Sequence, residues 1–156
     1  MAGFVTLRYV RDFPHPQPAA YAWLTDFQDS DPGLTDAIQR ERRILQRDGN
    51  RSVGEVTIEV LGRKGTAQVE TTLFPPDRWE ARFLSGFSKG NHYTYHLEPT
   101  ATGCRLTIDY RFAVKRLRHR LLFFFVKPRL RREIDRMWEG FAAAMERDLR
   151  GEIPSR

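Results

Sequence analysis

The chain changes period several times along its length. Over residues 4–13 apolar and polar side chains alternate: Val5, Leu7, Tyr9 and Phe13 share one face, and Thr6, Arg8 and Asp12 share the other. That is the two-residue repeat of a half-buried strand. The segment PHPQPAAYAWLTDF shifts the rhythm to that of a helix. Pro18 suits a first helical turn, where a missing amide hydrogen matters little, and Tyr21, Leu24 and Phe27, with Trp23 at the margin, give an apolar face. SDPGLTDAI then supplies turn residues and a second short helix.

From about Ile38 to Val114 strands alternate with turns. Val56, Ile58 and Val60 share a face, as do Ala67, Val69, Thr71 and Leu73, and Trp79, Ala81 and Phe83. NHYTYHLEP follows. After the TATG turn, Leu106, Ile108, Tyr110 and Phe112 lie opposite Arg105, Thr107, Asp109 and Arg111. Short turns between one-face-buried strands predict antiparallel hairpins in a single sheet.

The closing segment has the sharpest period. At about 100° per residue, Leu130, Ile134, Met137, Trp138, Phe141, Ala144 and Met145 fall within an arc of about 120°, with Arg132, Asp135, Arg136, Glu139 and Glu146 opposite. This predicts a long helix lying on the sheet, stopped by Gly151 and Pro154. The length fits one domain over residues 1–151 with a tail at 152–156.

Just before that stripe stands RLRHRLLFFFVKPRLRR, in which Leu121 to Val126 are six consecutive apolar residues. If the helix runs back through Pro128 in register, Phe123 and Val126 join the buried stripe, and Leu121, Leu122, Phe124 and Phe125 point to its flanks or away. If Pro128 kinks or breaks the helix, the apolar run can turn back toward the sheet edge. The first case leaves an apolar patch beside arginines, the composition of an interfacial amphipathic segment, with Arg118, Arg120, Phe124, Phe125, Lys127 and Arg129 as its membrane-contact residues.

Charge sharpens this picture. Residues 115–136 hold nine basic side chains against Glu133 and Asp135, a local net charge of +7, while the rest of the chain carries 17 basic and 18 acidic residues. Such a run is a solvated face, an anionic membrane surface or a nucleic-acid surface. Contiguous Phe123, Phe124 and Phe125 suit a buried or membrane-dipping patch better than base stacking between arginines. The N-terminal MAGFVTLRYVRDF lacks the apolar stretch of a signal peptide, and Leu121–Val126 is far short of the roughly 20 residues that span a bilayer. Cys104, the only cysteine, permits no intrachain disulfide and suits a reduced compartment. The expectation is a soluble, cytoplasmic protein with peripheral attachment to the inner face of the membrane.

The element order, a strand, two short helices, six strands and a long closing helix, resembles the α+β helix-grip fold of the START/Bet v 1-like (SRPBCC) superfamily, and within it the bacterial polyketide cyclase/dehydrase and lipid-transport group. The likeness is carried by FPHPQPAAYAWLTDF, which resembles that group's Pro–Ala–hydrophobic entry into its first helix, and by LRREIDRMWEGFAAAMERDL. It covers nearly the whole chain and has no sharp catalytic signature. The resemblance implies a curved antiparallel sheet of about seven strands wrapped around the C-terminal helix, with an elongated cavity for a lipid, isoprenoid quinone or polyketide-like molecule. Relatives of this fold also include quinone-binding chaperones and a ribosome-associated toxin.

A sheet gripping one helix must fill the space between them with side chains or leave a void that an apolar ligand occupies. The ligand-binding residues expected there are Trp79, Phe83, Tyr93, Tyr95, Tyr110, Trp138 and Phe141; the bland alternative is that these rings fill a dry core. A cyclase or dehydratase would need polar groups aimed into the cavity, for which Tyr93, Tyr95 and Tyr110 are available, with Thr71 behind them. None is paired in sequence with an obvious base, so no residue is assigned as catalytic. His92 and His96, four apart in a strand, stand about 13 Å from each other, too far for one metal ion. His15 and His119 show no acidic partner in sequence, and no phosphate loop, HExxH or GxSxG pattern occurs. No metal and no cofactor is expected. The first reading is a non-catalytic carrier of a hydrophobic small molecule that contacts an anionic membrane; the second is a cyclase using cavity tyrosines; the third is a basic segment that binds nucleic acid or the ribosome.

Overall fold

The computed structural model describes residues 3–27, 33 and 38–150. Strand β1 (Gly3–Phe13) is followed by helix α1 (Gln17–Leu24) and six strands: β2 (Ile38–Asp48), β3 (Arg51–Val60), β4 (Arg63–Phe74), β5 (Arg78–Phe83), β6 (His92–Thr100) and β7 (Gly103–Val114). Helix α2 (Leu117–Arg150) closes the chain. The strands form one seven-stranded sheet in the order β1-β7-β6-β5-β4-β3-β2, antiparallel at every step. This is the helix-grip α+β fold. Of SDPGLTDAI, where a second short helix is expected, only positions 33 and 38 are described, Ile38 as the first residue of β2, and the stop at Gly151 and Pro154 lies outside the described residues.

β2 to β7 form a meander of sequence neighbours, and β1 joins it by pairing with β7, so that Gly3 faces Val114 and Phe13 faces Cys104. The alternation in β1 is realised: Leu7, Tyr9 and Phe13 are buried and Thr6, Arg8 and Asp12 are exposed. At the β3–β4 hairpin, Leu61 (φ 53°) and Gly62 (φ 79°) both take left-handed backbone conformations, which a two-residue turn requires and a leucine rarely adopts. Leu61 is held there from above, because its N–H donates to Glu133 Oε2 of α2 at 3.1 Å.

The buried face of α2 is Leu130, Ile134, Met137, Trp138, Phe141, Ala144 and Met145, the stripe its period predicts. These residues pack with Leu7, Tyr9, Phe13, Leu97, Leu106 and Ile108 of the sheet and with Ala20, Tyr21, Trp23 and Leu24 of α1. Polar ties at the edge of this core fix the helix: Tyr9 Oη donates to Asp135 Oδ1 at 2.7 Å, and Trp23 Nε1 donates to Asp148 Oδ2 at 2.8 Å.

Pro128 does not end α2. The helix runs through it from Leu117, although proline leaves the carbonyl of residue 124 without its helical donor. Register is therefore kept, and the apolar run divides: Phe123 packs against the core and Val126 is half-buried, whereas Leu121, Leu122, Phe124 and Phe125 stay exposed. The alternative in which Pro128 folds these four back onto the sheet is not what forms.

Candidate functional site

Between the sheet and α2 lies a cavity of about 320 Å³, at the lower end of the volumes that hold small-molecule ligands. It exists because the strands beneath the helix carry small or short side chains at Gly54, Ala81 and Val56, while α2 stands off on Leu130, Ile134 and Met137. Five of the predicted ligand-binding residues, Trp79, Phe83, Tyr93, Tyr95 and Tyr110, line it, as does Thr71. Phe123 and Val126 of α2 line it too. Trp138 and Phe141 do not: both are buried, and their rings meet edge to face at 5.5 Å within the solid core. Helical period places a side chain on a face, but not at a height along the axis, and these two sit beyond the cavity.

The aromatic wall consists of two groups of touching rings. Trp79 stacks on Tyr95 at 4.8 Å with their planes 7° apart. Phe83 meets Tyr93 at 4.9 Å, Tyr93 meets Tyr110 at 4.7 Å, and Phe112 meets Phe123 at 5.7 Å, which carries the wall from β5 across to α2. Strand register makes this possible, since Tyr93 is paired directly with Tyr110, and Trp79 with Tyr95. The β5–β6 loop supplies the end of the cavity through Phe87, Ser88 and Asn91. Phe87 lies against Gly65, where an added Cβ would come within 2.7 Å of the ring, and under the Arg63 guanidinium at 4.7 Å.

The three cavity tyrosines differ in their partners. Tyr110 Oη accepts from Trp138 Nε1 at 3.1 Å, and Tyr93 Oη accepts from Asn91 Nδ2 at 3.2 Å. The Asn91 amide is oriented by its other atom, Oδ1, which accepts from the Ala113 N–H at 3.0 Å. Among the described residues, Tyr95 Oη has no hydrogen-bond partner. In the two bonded cases the phenol is the acceptor, so its own proton is left to donate. Burial pushes all three phenols well above the ordinary 10.0; Tyr93 adds to the shift at Tyr95, and Arg42 opposes it there. They remain neutral donors at any physiological pH.

Sequence reasoning missed a polar pair on the far wall. Gln39 and Arg42 both line the cavity, and Arg42 Nη2 donates to Gln39 Oε1 at 2.8 Å. A two-residue repeat puts positions 39 and 42 on opposite faces, but the β2–β3 register slips between Gln39 and Glu41, and such a bulge turns both inward. Among the described lining residues there are phenols, amides, hydroxyls and this one guanidinium, but no carboxylate and no imidazole.

The other predicted features lie elsewhere. His92 sits 3.4 Å from Glu80, and His96 sits between Asp77 (3.4 Å) and Glu98 (3.3 Å), so each histidine has separate carboxylates. His15, without an acidic partner in sequence, meets Glu146 of α2 at 2.9 Å because β1 ends beside the last turns of the helix. Cys104 is buried, and burial pushes its thiol up to about 11, leaving it protonated. Arg118, Arg120, Phe124, Phe125 and Arg129 are exposed on the first turns of α2, with Lys127 half-buried beside them. No helix among the described residues is long and apolar enough to cross a membrane.

Comparison with known proteins agrees with this architecture. The family model described as polyketide cyclase/dehydrase and lipid transport matches residues 5–146. A comparison with curated proteins finds no match. Among solved structures, a protein from Thermus thermophilus is similar with a TM-score of 0.74 at 14% identity, covering 92% of this chain and 97% of that one. The Zhui aromatase/cyclase from Streptomyces sp. R1128 is similar at 0.73 and 12% identity, covering 96% of both chains. A START superfamily protein from Mycobacterium smegmatis is similar at 0.70 and 12% identity, covering 92% and 97%.

Proposed function

The chain belongs to the polyketide cyclase/dehydrase and lipid-transport family, and on that premise we propose that it binds and carries a hydrophobic small molecule bearing hydrogen-bond acceptor oxygens, such as a lipid, an isoprenoid quinone or a polyketide-like compound. The observation that carries the reading is the cavity of about 320 Å³, with apolar walls and three tyrosine hydroxyls still able to donate. Buried polar groups need partners, and a carbonyl or carboxylate oxygen of the ligand supplies what the protein leaves out. Trp79, Phe83, Tyr93, Tyr95 and Tyr110 are the ligand-binding residues of this reading.

Native mass spectrometry of protein purified from its host tests the proposal directly. A co-purifying apolar compound, displaceable by a reporter dye at one saturable site and lost in Phe83→Asp, is the expected result. A folded protein that takes up no apolar compound overturns it.

A second reading, a cyclase or dehydratase, draws on the same tyrosines, because donors held in a dry cavity stabilise a developing enolate oxygen. With no carboxylate or imidazole in the described wall, proton transfer would fall to phenols whose pKa values burial has raised. Tyr93→Phe or Tyr110→Phe should then lower turnover of a polyketide-like substrate with binding largely intact; loss of binding alone identifies a carrier.

A further inference from the structure

Helix α2 carries two apolar stripes, and only one is covered. At about 100° per residue, Leu117, Leu121, Phe124, Phe125 and Pro128 fall within an arc of about 100°, centred about 150° around the helix from the arc of Phe123, Leu130 and Ile134 that faces the cavity. Their spacing of i, i+4, i+7, i+8 and i+11 is that of an amphipathic helix turned outward. Leu117 is 69% exposed, Leu121 57%, Phe124 71% and Phe125 83%. Basic side chains border the stripe on both sides, with Arg118 and Arg129 along one edge and Arg120 and Lys127 along the other, and no acidic residue occurs between 115 and 132.

We infer that this outer face of α2 docks on an anionic lipid bilayer, with the apolar stripe dipping into the headgroup boundary and the arginines pairing with lipid phosphates. An apolar stripe between two basic rows is what a helix lying in the interface plane requires, because long cationic side chains reach up to the headgroups while the rings sit lower. Two other occupants fit less well. A second copy packed on this face would set the same arginines against each other, and like charges oppose such a self-complementary contact. A nucleic-acid backbone would satisfy the arginines but offers nothing to Leu117 and Leu121. The same turns carry Phe123 and Val126 on their inner side, so docking brings a wall of the cavity to the lipid surface.

The test is sedimentation of the full chain with vesicles of phosphatidylcholine alone or mixed with phosphatidylglycerol. The protein should sediment with the mixed vesicles and not with the neutral ones, and salt should weaken the attachment. Phe124→Ser with Phe125→Ser should abolish it with an unchanged melting temperature, and Arg118→Gln with Arg129→Gln should weaken it by about tenfold or more. Uptake of an apolar reporter dye by the serine variant separates a lost docking face from a lost cavity. Equal binding to neutral vesicles, no vesicle binding, a melting temperature that collapses in the serine variant, a dimer dispersed by those serines, or salt-sensitive retention by nucleic acid without preference for anionic vesicles each overturns the inference.

Discussion

The indole of Trp138 and the hydroxyl of Tyr110 are joined by a hydrogen bond of 3.1 Å in which the indole is the donor. Indole nitrogen can only donate, so this bond fixes the direction of the tyrosine: its lone pair is engaged and its proton faces elsewhere. A residue outside the cavity thereby sets the chemistry of one that lines it.

That pair should behave as a unit. Tyr110→Phe leaves a buried indole N–H without a partner and is expected to destabilise the protein by about 1–3 kcal/mol. Trp138→Phe removes the donor together with packing volume. In a double-mutant cycle read by urea denaturation, the double variant should lose less than the sum of the single losses, by about 1 kcal/mol. Strict additivity would mean that the bond contributes nothing.

Asn91→Asp tests the donor role of Tyr93. The Ala113 N–H can still donate to the new side chain, but a carboxylate cannot donate to Tyr93, whose hydroxyl must then turn and donate to that carboxylate. One donor is withdrawn from the cavity. Affinity for a carbonyl-bearing ligand should fall by about tenfold, as for a lost hydrogen bond of about 1.4 kcal/mol, with the melting temperature little changed. Unaltered affinity would remove Tyr93 from the binding reading.

Ala81 lies on the cavity floor between Trp79 and Phe83. In a solid core, Ala81→Phe would overpack and cost about 1–3 kcal/mol. Above a void the ring has somewhere to go. The variant is expected to keep or raise its melting temperature while losing reporter-dye uptake, and a clear drop in stability would argue for a filled interior.

The period of the chain made the strands and the buried face of α2 legible, because every buried residue of that helix falls within one arc. It also showed that Phe123 and Val126 would join that arc if the helix continued. Whether it continued depended on Pro128, and a local rule for proline does not weigh the tertiary packing that holds both sides of it in one helix. Gln39 and Arg42 were hidden for a different reason: a bulge is an interruption of period, and a pattern reading assumes that the period holds. Trp138 and Phe141 were placed on the correct face at the wrong height, since the position of a void depends on small residues across several strands at once.

Alkaline titration gives a further expectation. Burial is the main cause that pushes the Tyr9 phenol up to about 12 from the ordinary 10.0, and Tyr93, Tyr95 and Tyr110 shift in the same direction. A raised folded-state pKa means that the unfolded chain gives up its phenol protons first. The stabilisation is therefore complete below about pH 10 and is lost as pH rises toward the folded values. Urea midpoints should fall above about pH 10, and tyrosinate absorbance should lag in the native protein relative to the unfolded one. Native and unfolded phenols that titrate together would contradict the burial.

The pairing of β1 with β7 also governs how the protein comes into being on the ribosome. Each strand from β3 to β7 can pair with the one made just before it, so most of the sheet can grow as it emerges. β1 is made first and must wait until about 100 further residues have followed, roughly 5–20 seconds at ordinary elongation rates. Through that interval Leu7, Tyr9 and Phe13 lack both β7 and α2, with only α1 of their core partners already made. Val5 and α2, from opposite ends of the chain, both contribute to the cavity wall. The cavity wall is thus complete only after β7 and α2 have been made, and a chaperone that shields β1 until then would act on the step that decides whether the cavity closes at all.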